Sequence, residues 1–433
     1  MKKNLITVLF LSISLALSSQ ELLTLSQAME IGLANNYGIN MAKNSYRISG
    51  NNASPGNAGM LPQINANAAY TKGWLNAELR TATGSEIEDP KAQSDLFTTG
   101  VYLNWRLFDG LGMFINYNKL KRMEEIGELS FKVEVENTLA DIIAAYYDIV
   151  RQKQESDIIQ EQVDISRFKM ELAKLRFETG SGSEMEYLKA KVELNADSAA
   201  LMKQQTVCLN SKTTLNDLLS RDVNTPYEVR DTILVDYVLQ YDSLRSSLRA
   251  ANRNILMAGK NKEVNYLGVK SARAKQWPNL DFMAGYGYYW TETGASFTEY
   301  NRNFGPTLGL TASIPIFNGR NLNREYKNAK ISLETSDLEM KQLESRLETY
   351  LARIYNDYRN ELRMIDFEQE NLRLALRNMD IAKESYAVGS ISSLQLREIQ
   401  KDLLNAHTRL VTAEYNAKLT ETALLLLSGK LIK

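Results

Sequence analysis

Phe108-Asp109-Gly110 returns 209 residues later as Phe317-Asn318-Gly319 (317 − 108), and the residues behind each triplet keep the same offset. Tyr146 and Asp148 reappear as Tyr355 and Asp357, Gly180 as Gly389, and Leu215 and Leu218 as Leu424 and Leu427. Self-similarity at a fixed offset marks two copies of one supersecondary unit, so the fold follows from reading that unit. Behind each glycine the chain lacks proline for a long way: none stands between Pro90 and Pro226, and none after Pro315. Because proline costs about 3 kcal/mol inside a helix, these stretches permit helices of unusual length, expected over 110–177 and 319–386. A helix of that length is about 100 Å long and finds partners only in other long helices.

Apolar residues follow a seven-residue period, the mark of a coiled-coil seam. Leu351, Tyr358, Ile365, Leu372, Met379 and Tyr386 form one row, with Tyr355, Leu362 and Leu376 expected beside it. Leu396, Leu403, Leu410, Ala417 and Leu424 form another, joined by Ile399, Ala406, Ala413 and Leu427. In the first copy Ile158, Ile165 and Leu172 keep the period, with Phe168 and Leu175 beside them and Arg151 and Glu161 interrupting. Each long helix stops at glycine and small polar residues, Gly180-Ser181-Gly182-Ser183 and Gly389-Ser390-Ile391-Ser392. A glycine past a helix end followed by a capping serine predicts a tight helical hairpin.

Ahead of each long helix the period drops to two. Ile64, Ala66, Ala68 and Tyr70, then Val101, Leu103, Trp105 and Leu107, alternate with polar residues; so do Leu280 to Trp290 and Leu308 to Ile316. These read as two strands per copy, with polar loops at 71–95 and 291–303 between them. One apolar face, an opposite face rich in Asn, Gln, Thr, Ser and Gly, and aromatic ends at Tyr70, Trp74, Tyr288, Tyr289 and Trp290 fit a water-filled membrane barrel. A soluble sandwich that packs its apolar faces together is the alternative. Four strands fall short of the roughly eight that the smallest membrane barrels need, so a barrel requires several chains.

At the N-terminus Lys2 and Lys3 precede an apolar run from Leu5 to Leu17, then Ser18-Ser19-Gln20, which reads as a cleaved export signal over 1–20. No later run is long enough for a transmembrane helix. With 51 basic and 52 acidic side chains the net charge is −1, so nothing draws the chain to nucleic acid at long range. The lone Cys208 makes no intramolecular disulfide and reads as a small apolar helix residue. His407 is placed on a polar helix stripe as a solvated histidine. Tyr146 with Asp148, and Tyr355 with Asp357, read as packing and surface charge, and no catalytic constellation, phosphate-binding loop, cofactor site or metal site stands out.

The chain resembles the TolC family of outer-membrane efflux channels along nearly its whole mature length. The resemblance rests on Leu23-Thr24-Leu25-Ser26-Gln27-Ala28 with Ala34-Asn35-Asn36, on Leu61-Pro62 and Trp277-Pro278 ahead of the strands, on Ile314-Pro315-Ile316-Phe317-Asn318-Gly319, and on the turns Phe177-Glu178-Thr179-Gly180 and Tyr386-Ala387-Val388-Gly389. It implies a mixed α and β membrane protein: a homotrimer whose twelve-stranded barrel, four strands per chain, continues into a helical coiled-coil barrel. The repeats then span 21–221 and 222–429, with a tail at 430–433. It further implies a passive exit duct for small molecules, lodged in outer-membrane lipid and fed by a periplasmic adaptor and an inner-membrane RND or ABC transporter. The same duct in type I protein secretion is the nearest alternative, and a non-conducting periplasmic scaffold a more distant one. By the same resemblance the adaptor docks on Thr179, Gly180, Ser181, Val388, Gly389 and Ser390. The gate falls on Tyr386, with Glu186 as its partner and Gln395 and Glu398 at the constriction; the family's gating arginine is replaced by Ile391.

Overall fold

A computed structural model describes residues 22–80, 83–230, 232–235, 239–294, 296 and 298–432. The expected export signal and Lys433 lie outside the described residues. In chain order the elements are β1 (Leu22–Leu23), α1 (Leu25–Asn35), α2 (Tyr37–Asn52), β2 (Gln63–Arg80), β3 (Glu86–Asp109), α3 (Gly112–Glu178) and α4 (Glu184–Leu218), followed by β4 (Glu228–Val229), α5 (Tyr241–Ala251), α6 (Arg253–Ala274), β5 (Asn279–Thr293), β6 (Asn301–Ser313), α7 (Asn321–Ala387) and α8 (Ser393–Leu427). The 209-residue repeat holds in three dimensions: α3 and α7 are both 67 residues long, and α4 and α8 both 35.

Two compact units divide the chain. The first, Ser45–Glu128 with Met257–Lys341, carries an antiparallel sheet in the order β2-β3-β5-β6. Alternation assigns every side chain to a face. One face holds Ile64, Val101, Leu103, Phe282, Tyr286, Leu308 and Leu310; it lies open, Leu308 and Leu310 being 77% and 64% exposed. No second sheet covers it among the described residues, as a sandwich within one chain would require. The other face carries Gln63, Asn65, Asn67, Thr98, Asn104, Thr307 and Thr311, with Arg106 paired to Asp281 at 2.9 Å.

The expected loop at 71–95 is instead mostly strand. β2 and β3 continue as a hairpin to Arg80 and Glu86, and Pro90 sits in a bulge between the pairs Leu75↔Ala92 and Ala77↔Asp89. A two-stranded ribbon wetted on both faces needs no apolar alternation, and a bulge is where a strand tolerates proline. Likewise β5 runs on to Thr293 and β6 resumes at Asn301, so the 291–303 loop is shorter than expected. β6 stops at Ser313, ahead of Pro315, and leaves Ile314 and Ile316 outside the sheet. The equivalent Trp105 and Leu107 lie within β3, because β5 pairs that strand as far as Asp109↔Asn279.

The second unit, within Met1–Asn44, Leu129–Leu256 and Gln342–Lys433, is helical apart from the short parallel pair β1 and β4. Leu351, Tyr358, Ile365, Met379 and Tyr386 are buried with Leu372 packed beside them, and Leu396, Leu403, Leu410, Ala417 and Leu424 are buried on α8. Beside the seams, Ala406, Ala413 and Leu427 on α8 are buried as expected, and other positions differ. Leu376, Phe168 and Leu175 are exposed; Ala382 and Glu368 on α7, and Gln162, Lys169 and Ala173 on α3, are buried instead. Hydrogen-bonded polar residues thus fill inward positions that an apolar count passes over. Tyr146 is buried and donates its hydroxyl to the Leu23 carbonyl at 3.1 Å; Tyr355 does the same to Leu239 at 3.4 Å. Cys208 is a free, half-buried thiol whose pKa burial raises.

Candidate functional site at the hairpin ends

Both long helices end in the same backbone turn. Gly180 and Gly389 have φ of +72° and +79°, a region that a side chain makes costly. The Gly389 N–H donates to the Tyr386 carbonyl at 3.1 Å and the Ser390 N–H to the Ser385 carbonyl at 2.8 Å; Gly180 and Ser181 repeat the pattern on Phe177 and Arg176. This double bond pattern closes a helix in a Schellman turn. Ser183 and Ser392 then cap the returning helices, accepting from the N–H groups of Glu186 and Gln395. Thr179, Gly180, Ser181, Val388, Gly389 and Ser390 are all exposed, so both tips present a small polar surface with Val388 as its apolar point.

Tyr386 is buried one turn behind its tip, and burial raises its pKa. Arg176, from the last turn of α3, lies 5.1 Å over its ring and donates to the carbonyls of Tyr386 and Ala387 at 2.7 and 3.1 Å. One cation therefore caps the C-terminus of α7 and covers the tyrosine. Glu186 is exposed, and no hydrogen bond joins it to Tyr386 among the described residues; its charge reaches the ring only at a distance, as one of the influences raising that pKa. Gln395 is spent locally, its Oε1 accepting from the Ser392 N–H at 2.9 Å in a capping box. Glu398 stands exposed on α8, and Ile391 packs against the cluster around Tyr386.

Behind the tips lies a polar clamp that the apolar periods of the sequence do not reveal. Lys169 is 1% exposed; its ammonium donates to Glu193 at 2.5 Å and to the Ser393 carbonyl at 3.1 Å, tying α3, α4 and α8 together. One helical turn further from the tip, Arg397 grips Asp197 through two bonds of 2.6 and 2.8 Å, and Ser166 donates to the same carboxylate. Gln162 and Gln400 then exchange side-chain amide to backbone carbonyl bonds at 2.8 and 3.0 Å. The available signal was the seven-residue spacing of Gln162 and Lys169, in line with Arg176. His407, expected in solvent, is half-buried with an unpartnered Nδ1, and burial lowers its pKa. Its neighbours Gln400 and Glu414 share the α8 face turned toward α3, so the stripe is polar yet enclosed.

A sheet with one open apolar face and one polar face, in a chain that also forms paired helical hairpins, defines an outer-membrane channel subunit with a periplasmic helical part. The chain belongs to the outer membrane efflux protein family, whose model matches residues 30–221 and 244–430. Over 410 residues it is 21% identical to outer membrane efflux protein BepC of Brucella suis, covering 94% of this chain and 86% of that one. It is 19% identical to outer membrane protein TolC of Escherichia coli over 376 residues, covering 82% and 72%. The outer membrane protein VceC of Vibrio cholerae has the same fold, with a TM-score of 0.74 at 17% identity over 94% of this chain and 96% of that one.

Proposed function

We propose that three copies of this chain close a twelve-stranded barrel and form the passive exit duct of a tripartite efflux assembly that carries small molecules outward. The observation that carries this reading is the sheet: its apolar face is bare, and β2 and β6 are free edges. Lipid accepts neither an unsatisfied edge nor an open sheet, and closure through other copies of the chain satisfies both demands. Thr179, Gly180, Ser181, Val388, Gly389 and Ser390 then offer a docking surface to a periplasmic adaptor, and an inner-membrane RND or ABC transporter supplies energy. Tyr386 sits where hairpin separation would open the duct, held by Arg176 in place of the arginine that Ile391 replaces. Glu398, repeated by three-fold symmetry, would form a ring that favours cations.

Planar-bilayer recording of the purified protein tests the duct: discrete conductance steps are expected, and a protein that gives none is a scaffold. Glu398→Gln tests the ring. Weaker cation selectivity and weaker block by divalent ions are expected, and unchanged values remove Glu398 from the constriction.

A further inference from the structure

The polar face of the sheet carries an unusual patch. Gly100, Gly285 and Gly287 cluster on it, since Gly100 pairs with Gly287 and Tyr102 with Gly285. Tyr102 stands on the same face and lies down over all three. A Cβ on Gly100 would meet the Tyr102 hydroxyl at 2.7 Å and ring carbons at 2.9 Å; on Gly285 it would meet the ring at 2.6 Å, and on Gly287 the hydroxyl at 2.8 Å. Real Cβ atoms do not tolerate such distances, so the ring occupies the space that three missing side chains leave. Further along the face Gly305 lies opposite Gly287, and Gly309 lies opposite Met283. Strand side chains ordinarily stand perpendicular to their sheet. Here the glycine floor lets a large ring lie flat.

We propose that Tyr102 is a permeation-determining residue of the barrel lumen, and that Gly100, Gly285 and Gly287 keep the bore wide by holding its ring against the wall. The proposal rests on the duct reading, which turns this polar face inward. Barrels of eight strands are filled by their own side chains and those of sixteen or more hold open water, so at twelve strands the pose of one aromatic ring per chain affects the passage. Under three-fold symmetry the three rings share one level, and lifting them narrows the lumen at that level from three sides. A rival explanation is that the ring merely shields strand backbone left bare by glycine, the aromatic rescue seen in other sheets. That role leaves conductance independent of the ring's pose.

The test is single-channel recording on the full-length protein as wild type, Gly100→Ala, Gly287→Ala, Tyr102→Ala, and Gly100→Ala combined with Tyr102→Ala. Gly100→Ala forces several ring atoms to move, while Gly287→Ala displaces chiefly the hydroxyl and serves if the first variant folds poorly. Both glycine variants should show a loss of unitary conductance, larger for Gly100→Ala. The double variant should return to the level of Tyr102→Ala. Wild-type conductance in the glycine variants, or a loss that persists without the ring, overturns the proposal while leaving the duct intact. A wild-type protein that forms no channels overturns the duct reading, and the proposal with it.

Discussion

Lys169 shows how a single side chain organises the hairpin ends. Its ammonium is out of water and held by Glu193, so removing it strands a largely enclosed carboxylate. Breaking a buried pair from one side costs about 3 kcal/mol or more, whereas replacing both partners with apolar residues of similar size is often neutral. Lys169→Met should therefore lower stability by about 3 kcal/mol in denaturant titration, and adding Glu193→Leu should recover most of it. His407 is predicted to act through pH. Burial disfavours its charged form, so its folded pKa lies below the ordinary value of about 6.5. As pH falls below about 6.5 the unfolded chain takes up this proton first; stability on this account is complete above that pH and declines below it. His407→Gln should flatten the fall in Tm between pH 7.5 and pH 5, read by thermal unfolding in detergent. Neither residue's setting was legible in the sequence. Lysine and histidine among charged neighbours look solvated until the facing helix is in place.

At the level of elements, one register was legible and a second was hidden. The two proline-free stretches located both long helices to within two residues at each end. The helices ahead of each sheet hairpin keep another offset, 216 (252 − 36), because the first copy carries seven more residues between its proline and glycine. Asn36 and Asn252 are equivalent under it: each caps the next helix through its Oδ1 and donates its Nδ2 to a helix-end carbonyl, Leu218 or Leu427, at 2.9 Å. Leu23 and Leu239, acceptors for Tyr146 and Tyr355, obey the same shift. The clue lay in the spans from Pro62 to Gly110 (110 − 62 = 48) and from Pro278 to Gly319 (319 − 278 = 41), but a single offset hides it. Asn252→Ala removes the cap and the bond to Leu427 together and should cost about 1 to 2 kcal/mol, measured as a shift in the denaturation midpoint. The 71–95 segment was illegible for a different reason: without an apolar face, nothing in its composition separates ribbon from loop.

For the molecule as a whole, the decisive observations are surfaces that one chain leaves bare. Away from its buried seam α7 carries a second row, Phe367, Leu374 and Ile381, exposed at every seventh residue and continued by Val388 just past the helix end. Such a row suits a helix of a neighbouring chain, as the free edges β2 and β6 suit neighbouring strands. Leu374→Glu with Ile381→Glu should leave the intrachain seam intact and prevent the proposed trimer from forming, read as monomeric mass by light scattering in detergent beside a trimeric mass for the unaltered chain. Four strands already pointed, in the sequence, to more than one chain; the exposed row was not legible there, because both rows on α7 keep the same period. The matched helices carry a consequence for descent and for engineering. One residue inserted into α3 alone would turn everything beyond it by about 100° and push one tip 1.5 Å past its twin. The copies have diverged by seven residues in their sheet hairpins and by none in the four hairpin helices, so those helices behave as a ruler that neither half can redraw alone. A longer pair of hairpins needs the same heptad inserted four times, once in each of α3, α4, α7 and α8.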